Sequence, residues 1–134
     1  MDKFESKITR SSASAEALYS RMQSLENLAG LVGREEVSEV EATADQCTFR
    51  VKGAGRMGLR IVDREPFKTL KFTDVDGKPL SYTAWIQFKE VGPGDTRIRI
   101  TLHTEIPFVM RAMLKGKIRK GLDQAAEAIA SMPA

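Results

Sequence analysis

Apolar residues recur along this chain with two periods, and the change from one to the other sets the expected fold. Between Gln46 and Lys52, Cys47, Phe49 and Val51 alternate with Gln46, Thr48, Arg50 and Lys52. A period of two over that length is a strand with one face buried. Met57, Leu59 and Ile61 resume the alternation after Gly53-Ala54-Gly55-Arg56 and run to Pro66, which predicts a hairpin. Leu70 and Phe72 mark the inward face of Phe67 to Asp74, Asp76-Gly77 is a strong hairpin dipeptide, and Tyr82, Ala84, Ile86 and Phe88 share one face of Leu80 to Val91. Gly92-Pro93-Gly94-Asp95 turns the chain into a last strand with Ile98, Ile100, Leu102 and Thr104 inside and Arg97, Arg99, Thr101, His103 and Glu105 outside.

From Pro107 to Met132 the period lengthens. At about 100° per residue, Met110, Leu114, Ile118, Gly121, Leu122, Ala125, Ile129 and Met132 fall on one stripe, with Arg119, Lys120, Asp123 and Glu127 roughly opposite. This predicts one long helix that needs an apolar partner surface. Pro107 suits its first position, and no capping side chain precedes it. Gly116 and Gly121 each cost roughly 1 kcal/mol in a helix interior, which predicts a bend or a close approach.

The N-terminal third is less regular. Phe4, Ser6 and Ile8 share a parity, predicting a strand over Lys3 to Arg10. Ser11 to Ser14 offers capping hydroxyls, Glu16 favours a helix start, and Leu18, Met22 and Leu25 make a helical stripe broken near Ser24. Leu25, Leu28, Leu31 and Val32 predict a second short helix closed by Gly30 and Gly33. Arg34 to Asp45 alternates poorly because Val37 and Val40 differ in parity, as a bulged or edge strand would. The order predicts one α+β domain over 1–134, with a long helix across one face of a curved antiparallel sheet of six to seven strands.

Composition narrows the function classes. With 134 residues the chain can build a core without staples, and a net charge of +3 is too small to argue for nucleic acid. A single cysteine, Cys47, permits no internal disulfide or thiolate metal cluster, and it sits on an apolar alternation as a small buried hydrophobe. His103 is the only histidine and lies on an outer face, where solvation is its ordinary role. No metal or cofactor is therefore expected. Met1-Asp2-Lys3-Phe4-Glu5 carries charge where a signal peptide needs an apolar run, and no uncharged stretch is long enough to span a bilayer. A cytoplasmic protein without stable membrane insertion is expected.

Gly53-x-Gly55-x-x-Gly58, with Asp74 downstream, matches the dinucleotide-binding glycine pattern. That pattern needs a helix after it, whereas Leu59 to Arg64 alternates like a strand. Arg111, Lys115, Lys117, Arg119 and Lys120 form a basic run without interleaved aromatics, which reads as a solvated helix face. Phe108, Val109, Met110, Met113 and Leu114 carry more apolar surface than one buried stripe uses, as a ligand portal, a homodimer contact or a membrane-touching lip would. Trp85 and Gln87 fall on the outer face of their strand, where a large aromatic suits a subunit contact.

The order of elements, with the Ser12-Ala13-Ser14-Ala15-Glu16-Ala17-Leu18-Tyr19 helix entry, the Trp85-Ile86-Gln87-Phe88 strand, Thr96-Arg97-Ile98-Arg99-Ile100-Thr101-Leu102 running into Pro107, and the tail Lys120-Gly121-Leu122-Asp123-Gln124-Ala125-Ala126, resembles the helix-grip fold of the START-related superfamily of polyketide cyclases, dehydrases and lipid-transfer proteins. Small uncharacterised bacterial members share it. The resemblance implies a cavity between sheet and closing helix for a small hydrophobic or amphipathic ligand. Compatible walls are Phe49, Val51, Leu59, Ile61, Phe72, Tyr82, Ile86, Ile100 and Leu102 from the sheet and Met110, Leu114 and Ile118 from the helix, whose alternative role is plain core packing. Ser6, Asp63, Tyr82 and Thr104 are the polar residues on the inward parity. A cyclase-like enzyme would need an acid and base from among them, with Asp63 and Tyr82 as the conceivable pair. No catalytic residue is assigned, and a binder or carrier is the leading expectation.

Overall fold

The structure, a computed structural model, describes residues 2–26, 37–51, 55–75 and 81–132, with Val37 and Val51 as backbone only. Its strands are β1 (Asp2–Glu5), β2 (Thr9–Ser11), β3 (Val37–Ala42), β4 (Gln46–Val51), β5 (Gly55–Glu65), β6 (Thr69–Asp74), β7 (Tyr82–Gly92) and β8 (Asp95–Thr104). Among the described residues two helices join them, α1 (Ala15–Met22) and α2 (Arg111–Ala130), the latter entered by a 3-10 turn at Phe108–Met110. All strands lie in one antiparallel sheet ordered β1-β8-β7-β6-β5-β4-β3, with β2 also on β8. The second short helix expected at Leu28, Leu31 and Val32, and the Asp76-Gly77 turn, lie outside the described residues.

The predicted alternation holds through the centre of the sheet. Leu70, Phe72, Ile86, Phe88, Ile98 and Ile100 are all buried, and cross-strand pairs such as Leu70 with Ile86 and Ile86 with Ile100 put them on one face. At the β7–β8 turn, Gly92 pairs with Asp95, so Pro93 and Gly94 alone reverse the chain. Proline sets φ at the first position, and Gly94 takes φ +68° at the second, where a Cβ would be strained. β3 is an edge strand, and its register shifts between Ser38 and Glu41, with Glu39 at φ +51°. That irregularity explains the poor alternation around Val37 and Val40.

Three expectations need correction. The first strand is split, because Ser6 turns inward and its hydroxyl accepts from Ile100 N (2.9 Å), while Lys7 N donates to Asp123 Oδ1 (2.7 Å) on α2. The chain therefore restarts at Thr9 with the parity shifted, which leaves Ile8 61 % exposed and buries Ser11. β5 carries a bulge between Ile61 and Asp63, so Asp63 pairs with Lys71 on the outer face and Arg64 pairs with Leu70. Asp63 is thus not an inward residue. Arg64 instead donates to Asp45 Oδ1 (2.6 Å) and to Gln23 O (3.1 Å), tying the end of α1 to the β3–β4 turn. Third, of the bend or close approach expected at the helix glycines, the close approach is absent, since a Cβ placed at Gly116 or Gly121 meets nothing within 4 Å.

Both glycines are exposed in the continuous helix α2, so replacing them should relieve backbone entropy without a clash. Gly116→Ala with Gly121→Ala is expected to stabilise the protein by about 1 to 2 kcal/mol, read as a higher urea midpoint with an unchanged slope.

The core lies toward the α1 end of the sheet. Ser14 caps α1 by accepting from Ala17 N (3.1 Å), and the Glu90 carboxylate from β7 accepts from Ala15 N (2.8 Å), so two free N–H groups of the first turn are satisfied. This anchors α1 to the sheet with Leu18 and Met22 fully buried and Tyr19 edge-on to Phe88. α2 packs against β1, β2 and β8. Its C-terminal half is held by Thr9, whose hydroxyl donates to Ala126 O (2.9 Å), and by a Lys7–Glu127 ion pair. Among the described residues, no helix is long and apolar enough to cross a membrane.

Candidate functional site

The concave face of the sheet is closed at one end and incompletely covered at the other. Toward α1, Ile98, Phe88, Ile100, Ile86 and Leu70 are buried together with Ala126 and Ile129 of α2. Toward the start of α2, Leu102, Ala84, Tyr82, Leu59, Met57 and Phe49 are half-buried among the buried Phe4, Cys47 and Thr104, and Phe49, Leu59 and Ala84 pack against the core cluster. The helix changes in the same direction. Met110, Leu114 and Ile118 are half-buried, and among the described residues its contribution to the core cluster begins at Leu122. The Arg111–Asp2 ion pair (3.3 Å) and the Asp2–Thr104 register place the start of α2 beside the β8 end that carries Leu102 and Thr104.

The twelve expected wall residues therefore divide. Ile61, Phe72, Ile86 and Ile100 are buried within the core, where they pack against neighbours. Phe49, Leu59, Tyr82, Leu102, Met110, Leu114 and Ile118 are the half-covered set, and the side chain of Val51 lies outside what is described. Ala84 pairs with both Phe72 and Leu102 and so sits on the floor of this open end. Its small side chain made it inconspicuous in the sequence.

The inward polar groups are occupied. The Ser6 hydroxyl donates to Lys7 O (2.8 Å) and that of Thr104 to Ser81 O (2.7 Å). The Tyr82 phenol donates to Gly58 O, reaching across β6 to β5. Burial, then the Asp74 carboxylate and Cys47, push the Tyr82 pKa well above the usual phenol range. Tyr82 is accordingly a held proton donor. The carboxylate beside it is Asp74, not Asp63, and its Oδ1 accepts from Tyr82 N (2.9 Å). Continuing the Leu70 and Phe72 parity by one step would have found Asp74. Cys47 is buried and free, and burial raises its thiol pKa.

Removing the phenol should leave Gly58 O without its partner, so Tyr82→Phe is expected to cost about 1 to 3 kcal/mol near neutral pH. A phenol whose pKa is raised on folding stabilises the native state fully below the unfolded value of about 10, and that contribution is lost as pH rises through the folded pKa. Urea melts of both proteins across this range should converge at high pH.

Gly58 has a structural role. A Cβ there would stand 2.7 Å from Val75 Cγ2 and 3.2 Å from Thr48 Cγ2, and the strand continues through it from Gly55 to Glu65. No helix follows to meet a pyrophosphate. Among the described residues, no group of three or more His, Cys, Asp or Glu side chains converges as a metal site. On the outer face, Trp85 packs edge-on to His103 with ring centroids 4.8 Å apart, and Lys71 Nζ stands 5.7 Å from the indole. A groove of about 260 Å³ runs beside it, lined by Asp63, Glu65, Thr69, Lys71 and Gln87 as well as Trp85. Its walls are mostly polar and charged. The concave face offers apolar surface, so the two would suit different chemistry.

Comparison with known proteins agrees with this architecture. A structure of protein CV1439 from Chromobacterium violaceum superposes with a TM-score of 0.71 at 18 % identity, covering 98 % of this chain and 96 % of that one. Protein XoxI from Bacillus cereus gives a TM-score of 0.76 at 10 % identity over 97 % and 94 % of the two chains. A START superfamily protein from Mycobacterium smegmatis gives 0.70 at 17 % identity over 96 % of each. These likenesses establish a START-like fold. No curated protein matches the sequence. The model of the family described as polyketide cyclase / dehydrase and lipid transport matches residues 1–130, and the chain belongs to that family, whose START-like fold is that of a ligand-binding domain.

Proposed function

We propose that the protein binds a small hydrophobic or amphipathic molecule on the concave face of the sheet, beneath the first half of α2. The observation that carries this reading is the change in burial along one surface. Along β7 the inward residues pass from the buried Phe88 and Ile86 to the half-covered Ala84 and Tyr82. Leu102, Leu59 and Phe49 are half-covered beside them while Phe4, Cys47 and Thr104 stay buried, and Met110, Leu114 and Ile118 of α2 are half-covered too. Apolar surface left accessible in a concavity favours an apolar occupant, at roughly 25 cal/mol for each Å² removed from water.

Binding is favoured over catalysis by the inward polar groups. An acid–base reaction needs a proton free to move at the substrate. Here the Tyr82 proton is committed to Gly58 O, the Asp74 carboxylate to Tyr82 N, and Asp63 lies on the other side of the sheet. Native mass spectrometry of gently purified protein, followed by solvent extraction, tests the proposal. An adduct of a few hundred daltons that partitions into organic solvent is expected. Protein that carries no adduct and takes up none from an extract of its host cells would count against it.

A further inference from the structure

Beside the open end stands a surface that ligand binding does not explain. Phe108 and Val109 in the 3-10 turn are 87 % and 88 % exposed, and Met113 in the first turn of α2 is 58 % exposed. At helical spacing Met113, Lys117 and Lys120 lie on the side of α2 opposite Ile118, Leu122 and Ile129. Lys117 and Lys120 are exposed and pair with no carboxylate among the described residues. Residues 106–122 contain five Lys and Arg and no acidic residue. The chain has 21 Lys and Arg in all, so sixteen remain against all eighteen Asp and Glu elsewhere, and this half-helix carries the whole of the positive excess.

We propose that Phe108, Val109 and Met113 insert at the surface of an anionic lipid bilayer, with Lys117 and Lys120 meeting the headgroups. An apolar tip rimmed by unpaired cations complements that surface on both counts: the tip leaves water for the acyl boundary, and the ammonium groups reach back to phosphate and carboxylate. A protein partner would have to supply an apolar pocket within an acidic surround. A second copy of this chain is disfavoured, because two such tips would bring like charges together. The inserted area is small, so the contact is reversible.

Flotation of the full chain with vesicles tests this, and its readout needs no bound ligand. At low ionic strength the protein should float with phosphatidylcholine vesicles containing roughly a third phosphatidylserine, and less with phosphatidylcholine alone. Phe108→Ser with Val109→Ser should lower the partition coefficient by about tenfold or more, and Lys117→Gln with Lys120→Gln should lower it on the anionic vesicles only. These side chains are exposed, so the melting curves should be unchanged. Equal flotation of both variants and the parent, or none of the parent on anionic vesicles, would overturn the proposal. So would a concentration-dependent dimer that Phe108→Ser with Val109→Ser dissolves, since the tip would then be a self-contact.

Discussion

Truncating Ile129 to alanine is expected to cost about 2 to 5 kcal/mol of stability, whereas the same truncation at Ile118, three turns earlier on α2, should cost less than about 1 kcal/mol. Ile129 is 1 % exposed and belongs to the cluster with Leu18, Met22 and Ile98, so its loss opens a void among side chains with little freedom to collapse. Ile118 is half-buried, and its removal exposes surface that water already reaches. Using one residue type on one helix cancels differences in helix propensity and transfer energy, leaving local packing as the variable. Urea unfolding with a common slope reads the difference. Equal large costs at both sites would mean that α2 is docked along its whole length.

The second large effect concerns the floor of the open end. Ala84→Trp places an indole between Phe72 and Leu102, the residues that Ala84 faces on the neighbouring strands. Where the concavity has room, the ring occupies the ligand's volume, weakening binding by about tenfold or more while changing stability by less than about 1 kcal/mol. Were the space filled by protein, the same ring would overpack it and cost about 1 to 3 kcal/mol. Stability and affinity thus move in opposite patterns under the two arrangements. Calorimetric unfolding beside a ligand titration separates them.

Much of the architecture was written in the alternation. The faces of β4, β6, β7 and β8, the helical stripe of α2 and the capped start of α1 follow from local periodicity and side-chain chemistry, both of which a linear pattern carries. The departures share one physical cause. A strand's period of two records a face only until a residue is inserted or the backbone turns aside, and either event reverses every assignment after it. The Ser6–Ile8 break depends on Ile100 and Asp123, each more than ninety residues away in the chain. The Val62 bulge exchanges Asp63 for Arg64 on the inner face with no turn residue to announce it. The same limit applies to the candidate site. Apolar parity names a face, but whether Phe72 is packed and Leu102 half-covered depends on where α1 and α2 come to rest. Gly116 and Gly121 were informative about propensity alone, because nothing approaches them.

The central claim is that the concave face accepts an apolar molecule beneath the first half of α2, and a fluorescence titration with an apolar naphthalene dye tests it most directly. The parent protein should show saturable binding near one dye per chain, and Ala84→Trp should weaken it by about tenfold or more without lowering the melting temperature beyond a few degrees. Unsaturable binding to the parent, or identical titrations for parent and variant, would contradict the account.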